Sequence, residues 1–425
     1  MTKKNIIHIA EYTEPKKSRK KSVKSSSKKP KWEFSSRLRR NAFGWKSSRL
    51  ACKRVKEAVS EIKKVAKKDP KLAGEGAVLF IEKVVPAIRK VNSSSGALGT
   101  AVRNAVHDVI PIIVDAPVTP EILEKWRERL WTAFGDDGYG YLDCIGDCWG
   151  DLCESKTVAS VYADSLLPVL RDSWTTKGSG YFSGTFACLS CLFKAERYNE
   201  LLDLLELAPY ISWDFRKYGV MALVKLGKTD EALQYAEESR GINDSNPIPM
   251  AIACEKILID SGRWEEAYEK YGRIANLANS NLATFRAIVR RYPQKSKEEI
   301  LRDLIGENNE NGGKWFATAK SLGMFELAIE LVRKSPCEPA TLTRAAEKYK
   351  DENPEFALEC AVSALKWIAE GFGYEITGAD VFKAYDMALK AAENIGNNPQ
   401  TKKRINDICN MNPSNNFVRD VLQKD

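Results

Sequence analysis

Six short stretches in the C-terminal half decide the fold: ERYNELL from Glu196, GKTDEAL from Gly227, GRWEEAY from Gly262, KSKEEIL from Lys295, GMFELAI from Gly323 and ENPEFAL from Glu352. Each opens on a glycine or a polar residue, and four of the six carry a glutamate four positions later, at Glu200, Glu231, Glu266 and Glu299. Successive starts lie 31, 35, 33, 28 and 29 residues apart. The common element is a turn followed by the start of the second helix of a pair, with a small or apolar residue after the glutamate position. A small residue at the turn lets two antiparallel helices approach, and Ala232 and Ala267 fall where such helices would cross.

A repeat of this length is close to the helix-turn-helix unit of tetratricopeptide repeats, about 34 residues long. The fuller pattern of that repeat, with its Trp, Gly-Tyr and terminal Pro positions, is not reproduced in any unit, so the pairs are tetratricopeptide-like. One pair leaves an apolar face uncovered until the next stacks on it, which predicts a right-handed α-solenoid with a concave inner surface. An insertion at Gly371–Thr377 interrupts the period, and polar helices near 378–395, near 399–410 and after Pro413 are expected to cap the array.

Working back toward the N-terminus, the period stays helical. Leu50, Val55, Val59, Ile62 and Ala66 form one apolar stripe, with Lys53, Lys56, Lys63, Lys64 and Lys67 facing elsewhere. Further helices are expected at about 71–91, 97–115 and 120–134, the last with Thr119 as N-cap and Pro120 at its first position. GDDGYG at 135–140 is a turn, after which helices resume over 141–153 and 155–174. No sustained alternation marks a strand. The expected fold is all-α: a basic tail over 1–30, an N-terminal helical domain over 31–175, tetratricopeptide-like repeats over 176–370 and capping helices over 371–425.

Charge is concentrated at one end. Residues 1–50 hold sixteen Lys and Arg against Glu11, Glu14 and Glu33, so the remainder of a chain of net charge +9 is net negative, at −4. Lys16, Lys17, Arg19, Lys20, Lys21, Lys24, Lys28, Lys29 and Lys31, continued by Arg37, Arg39 and Arg40, are the candidate polyanion-binding residues. Such a run binds nucleic-acid phosphates in a salt-sensitive manner without reading sequence, and equally serves as a solvated arm. Residues 1–30 are too polar to bury a core and read as disordered. Order begins near Trp32, because Trp32, Phe34, Phe43 and Trp45 are large apolar groups that require a surface to dock on. The apolar stretches Ala77–Ile88 and Val109–Val118 are broken by Glu82, Lys83 and Pro86 or by Pro111 and Asp115, so no membrane partner is expected. The opening residues hold about five apolar side chains before Glu11, too few for a secretory signal, and ten cysteines scattered through helical patterns suit a reducing cytoplasm.

Three stretches, GWKSSRLACKRVKEAVSEI at 44–62, NSSSGALGTAVRNAVHDV at 92–109 and TAFGDDGYGYLDCIGDCWGDLC at 132–153, carry a resemblance across roughly residues 44–240. This region resembles an uncharacterised bacterial helical-repeat family, itself similar to the helical region that follows the zinc finger in SWIM-type proteins. The resemblance implies the helical fold more than an activity. The finger needs a Cys-x-Cys pair and a downstream Cys-x-His; this chain has no Cys-x-Cys and only His8 and His107, so no nucleic-acid role carries over from it.

Sites of chemistry are sparse. Cys144, Cys148, Cys188 and Cys191 have helical spacing that places each pair on one face, a weak zinc signal, and burial as small apolar residues is the competing reading. Gly227-Lys228-Thr229 ends like a phosphate-binding loop but has Ala222 where the first glycine belongs and no preceding strand, which makes it a repeat turn. Asp136-Asp137-Gly138 lacks the alternating oxygen ligands of a calcium loop. His107, inside a helical stripe, reads as a packed core or groove residue rather than a base. The sequence therefore predicts no cofactor and no catalysis. It points to a cytoplasmic adaptor that binds a protein or peptide in the solenoid groove, with nucleic-acid binding through the tail as the alternative.

Overall fold

The structure, a computed structural model, describes residues 32–175, 180–239, 246–306, 312–412 and 415–423. Lys16 to Lys31 of the basic run lie outside these residues. Every regular element among the described residues is helical. The chain divides into two compact units, Met1–Glu196 and Arg197–Asp425.

In the first unit, α1 (Glu33–Arg37) packs on α2 (Ser48–Ala66) and α3 (Pro70–Ile88). Trp32, Phe34 and Phe43 are buried, joined by Leu38, whereas the Trp45 ring is 65% exposed and only its backbone carbonyl is held, by the Asn92 amide at 2.9 Å. In α2 the buried stripe is Ala51, Val55, Ala58, Val59 and Ile62. Leu50, expected to open that stripe, is 47% exposed, because one residue is a rotation of about 100° and Ala51 takes the inward position instead. The α3 helix starts where the Asp69 carboxylate caps the Leu72 amide at 2.9 Å and Pro70 fills the first position.

Next comes α4 (Ala97–Val114), which packs against α2 and α3 and runs through Pro111 without ending there. Its eighteen residues have a mean hydropathy of 1.2, enough by length and composition to cross a bilayer, contrary to the reading that Pro111 breaks the stretch. Leu98, Val102, Ala105, Val106, Val109, Ile110 and Ile113 spend that hydropathy on the core of the unit. Then α5 (Pro120–Gly135) locks onto α3 through Arg129, which pairs with Glu75 and Glu82, each at 2.7 Å. Two single-turn helices, α6 (Cys144–Asp147) and α7 (Trp149–Leu152), and the long α8 (Lys156–Thr175) all pack on α9 (Thr185–Lys194). That packing places α9 in the first unit. The break between units falls at Glu196, inside the first of the six turn stretches and twenty-one residues beyond the 175/176 boundary expected from sequence.

The second unit contains α10 (Tyr198–Leu205), α11 (Trp213–Lys225), α12 (Thr229–Glu237) and α13 (Ile248–Asp260), each packed on the next. A helix begun by α14 (Trp264–Ala267) passes through a π-helical turn, Tyr268–Gly272, into α15 (Arg273–Ala275), and all three segments lie on α13. Two pairs follow, α16 (Asn281–Arg291) with α17 (Lys297–Ile305) and α18 (Phe316–Ser321) with α19 (Phe325–Lys334). The remaining helices are α20 (Pro339–Tyr349), α21 (Pro354–Ala369), α22 (Gly378–Asn394), α23 (Asn398–Met411) and α24 (Phe417–Leu422). Buried residues from Trp213 to Val418 form one continuous cluster, so the helices after 371 share the core of the repeats.

The repeated turns share a physical cause. Gly227, Gly262 and Gly323 adopt φ of 77°, 79° and 74°, and the next amide reaches back five residues, Lys228 to Leu223, Arg263 to Leu258 and Met324 to Ala319, at 2.9, 2.9 and 3.0 Å. This closes the end of one helix and redirects the chain into its partner. The stretch from Lys295 uses a capping box between Ser296 and Glu299 instead, and the one from Glu352 uses the Asn353 side chain on the Phe356 amide with Pro354 behind it. Ala232 and Ala267 are fully buried, as their crossing positions required. The central helix is α21, buried on nearly every side and packed on α19, α20, α22 and α23.

Candidate functional site

Each residue singled out in the sequence has a defined local role. Arg37 is ion-paired with Glu33 at 3.1 Å and Glu57 at 3.2 Å, Arg39 is exposed, and Arg40 lines a cleft of about 800 Å³ with Arg89 and Arg129. Cys144 and Cys148 sit at the two ends of α6, and Cys188 and Cys191 lie on α9, which packs on α6. Among the described residues, no three of His, Cys, Asp and Glu converge as a metal set. Burial pushes the Cys144 thiol up to about 12. A side-chain hydrogen bond with Cys153, together with burial, raises the pKa of the Cys191 thiol.

Lys228 and Thr229 follow the left-handed Gly227 in the helix-ending turn described above, which leaves no ring of free amides for a phosphate. The Asp137 carboxylate accepts from the Tyr139 and Leu142 amides at 3.0 and 2.6 Å, which uses its oxygens to shape the turn. His107 is exposed, contrary to the expected packed position, because its helix turns Val106 and Val109 inward instead.

The surface with the character of a binding site is the outward face of α11 and α13, two adjacent helices in the second unit. Met221 and Val224 stand one helical turn apart on α11, 39% and 37% exposed, and Ile252 on α13 is 48% exposed. Leu207, Tyr210 and Ile211, in the connection that leads into α11, are also exposed. Exposed apolar residues that cluster mark interaction sites, whereas scattered ones need no account.

The scaffold behind this face is closely packed. Trp213, Tyr218, Val220 and Leu223 bury the inner side of α11. Tyr235 of α12 approaches so closely at Gly219 that a Cβ there would lie 2.6 Å from Tyr235 Cε1. The Arg216 guanidinium stacks over the Tyr235 ring at 4.2 Å and donates to the Tyr235 carbonyl at 3.2 Å. On α13 the buried Glu255 carboxylate accepts from Asn276 at 2.5 Å, Tyr292 at 2.7 Å and Arg291 at 3.2 Å, which ties α16 to α13.

Basic side chains continue the exposed faces of the leading helices: Lys225 on α11, Lys256 on α13, Arg286 and Arg290 on α16, and Arg344 and Lys348 on α20. Lys256 is answered by Asp260 at 2.5 Å, and Arg344 folds back on the Ala340 carbonyl at 3.0 Å. The helical period that revealed the core also contained this face, since Met221, Val224 and Ile252 are apolar at positions outside the buried stripe. Without the neighbouring helices in place, however, these residues read as additional core.

Comparison of the chain with known protein families, curated proteins and solved structures found no match.

Proposed function

We propose that this protein is a non-catalytic helical-repeat adaptor whose second unit binds a protein segment along the exposed faces of α11 and α13. The observation that carries this reading is the exposure of the apolar Met221, Val224 and Ile252 on two adjacent helices whose other sides are packed into the core. Lys225, Arg286 and Arg290 on the same run of leading helices favour a segment in which apolar side chains are flanked by carboxylates. Stacked helix pairs suit such a role, because an extended ligand meets one preformed helix after another with little reorganisation on binding. Ten cysteines without a disulfide fit a reducing compartment such as the cytoplasm.

An array of twelve-residue peptides that combine leucine or phenylalanine with glutamate, probed with the full chain, tests the reading. Peptides captured by wild type and lost in the double variant M221E/I252E, at unchanged melting temperature, are the expected result. Equal capture by both proteins defeats it. A second reading, in which Lys16 to Lys31 bind DNA or RNA through phosphates, rests on the +13 balance of residues 1–50.

A further inference from the structure

The body of the protein is net negative on average, but its charge is not evenly spread. Residues 32–71 contain thirteen Lys and Arg against four Asp and Glu, and α2 forms the middle of that stretch. With Val55, Ala58 and Ile62 turned into the core, Lys56, Ser60, Lys63 and Lys67 recur at i, i+4, i+7 and i+11 along the edge of α2 nearest α4. On the opposite wall, α4 contributes Ala101, Asn104, Ala105 and Asp108. The two helices enclose a groove of about 530 Å³ floored by the buried Val59 and Ala105 and rimmed on one side by lysines, Lys64 among them.

These lysines are largely uncompensated. Lys63 reaches Asp108 at 2.8 Å, and both side chains remain about half exposed. No carboxylate among the described residues stands within ion-pair distance of Lys56, Lys64 or Lys67. Like charges one helical turn apart, such as Lys63 with Lys67 and Lys64 with Lys67, weaken a helix, so the row persists at a cost that a bound anion would relieve.

We propose that the groove between α2 and α4 binds the phosphate backbone of nucleic acid. The length of the row selects this partner. Lys56 and Lys67 are eleven residues apart, about 16 Å along the helix, so the row is long enough to meet several successive phosphates of one strand rather than a single small anion. No aromatic side chain lines the groove, so bases have nothing to stack on, and contact is with the backbone without sequence readout. The other flank of α2 anchors the start of the described chain: the Glu61 carboxylate accepts the Glu33 and Phe34 amides at 2.8 and 3.0 Å. The groove is a site on the folded body, distinct from the basic run of residues 16–31.

The test uses the full chain with fluorescein-labelled twenty-base-pair DNA and RNA duplexes, followed by anisotropy between 50 and 200 mM salt. The triple variant K56A/K64A/K67A should bind both duplexes more weakly. Its slope of log affinity against log salt should be shallower by about two to three, at about 0.9 per lost phosphate contact. K56R/K64R/K67R should restore the wild-type slope, and equal melting temperatures for all three proteins exclude unfolding. A full chain with the nine basic residues of 16–31 changed to glutamine should still bind, and its binding should still depend on Lys56, Lys64 and Lys67. A slope and affinity within twofold of wild type for the alanine variant overturns the proposal. So does complete loss of binding in the glutamine chain, or tighter binding of polyglutamate than of either duplex at equal salt.

Discussion

Trp32 lies against Gly76 so closely that a Cβ on the glycine would sit 2.2 Å from Trp32 Cζ2. This contact fixes where the chain enters the first unit, because Trp32 is buried there beside Phe34, whose ring meets Phe80 edge-on at 6.1 Å. Gly74, two residues earlier on α3, gives the same room to Trp126 of α5, at 2.7 Å from a hypothetical Cβ. Gly76→Ala should therefore displace the Trp32 ring and destabilise the first unit by about 1–3 kcal/mol, the usual cost of overpacking. Limited proteolysis should cut near residue 40 faster in the variant, whereas unchanged cleavage and melting would mean that the ring moves aside freely.

Ala232 is fully buried where α12 crosses α11. Ala232→Glu forces a carboxylate and one further methylene into that crossing and should cost several kcal/mol, on the order of 3–5, through overpacking and an unpaired buried charge. Ala283, exposed at the start of α16, is the matched control, and Ala283→Glu should be nearly neutral. Equal urea midpoints for the two variants would reject the assigned helix register.

Glu359 sits inside α21, where burial raises its pKa, but the Arg404 and Arg333 guanidiniums, at 2.7 and 2.8 Å, outweigh burial and hold the carboxyl below its ordinary value of 4.5. A depressed pKa contributes stability that is fully present above the unfolded value and is lost as pH falls through the folded one. Glu359→Gln should cost about 1–3 kcal/mol at pH 7, discounted because both arginines are partly exposed. The stability curves of the two proteins should converge below about pH 4.5. A difference that stays constant down to pH 3 would show that the arginines do not hold the carboxylate ionised.

None of the ten cysteines is in a disulfide, and eight of them are buried, leaving only Cys52 and Cys148 partly accessible. Burial pushes Cys144 and Cys337 up to about 12, so at pH 8 they are neither exposed nor ionised. Titration of the native protein with Ellman's reagent at pH 8 should give up to two fast equivalents, with the rest released only in denaturant. Rapid reaction of Cys144 in the native state, read by peptide mass mapping, would contradict its burial.

The sequence alone determined the helical fold and the positions of its turns, because both follow from local rules. A period of 3.6 marks a helix, and a glycine such as Gly227, Gly262 or Gly323 marks the left-handed exit from one. The burial of Ala232, Ala267, Trp32 and Phe34 was legible for the same reason. Only the tertiary structure decided the rest. Leu50 and Ala51, or Trp45 and Phe43, differ in exposure by the direction from which a neighbouring helix arrives, and no local pattern contains that direction. The faces proposed for interaction were hidden by the same lack. Met221, Val224 and Ile252 are apolar like the core, and Lys56 and Lys67 are charged like any solvated face. Their meaning depends on which helix stands beside them, a long-range relation set by packing of the whole unit.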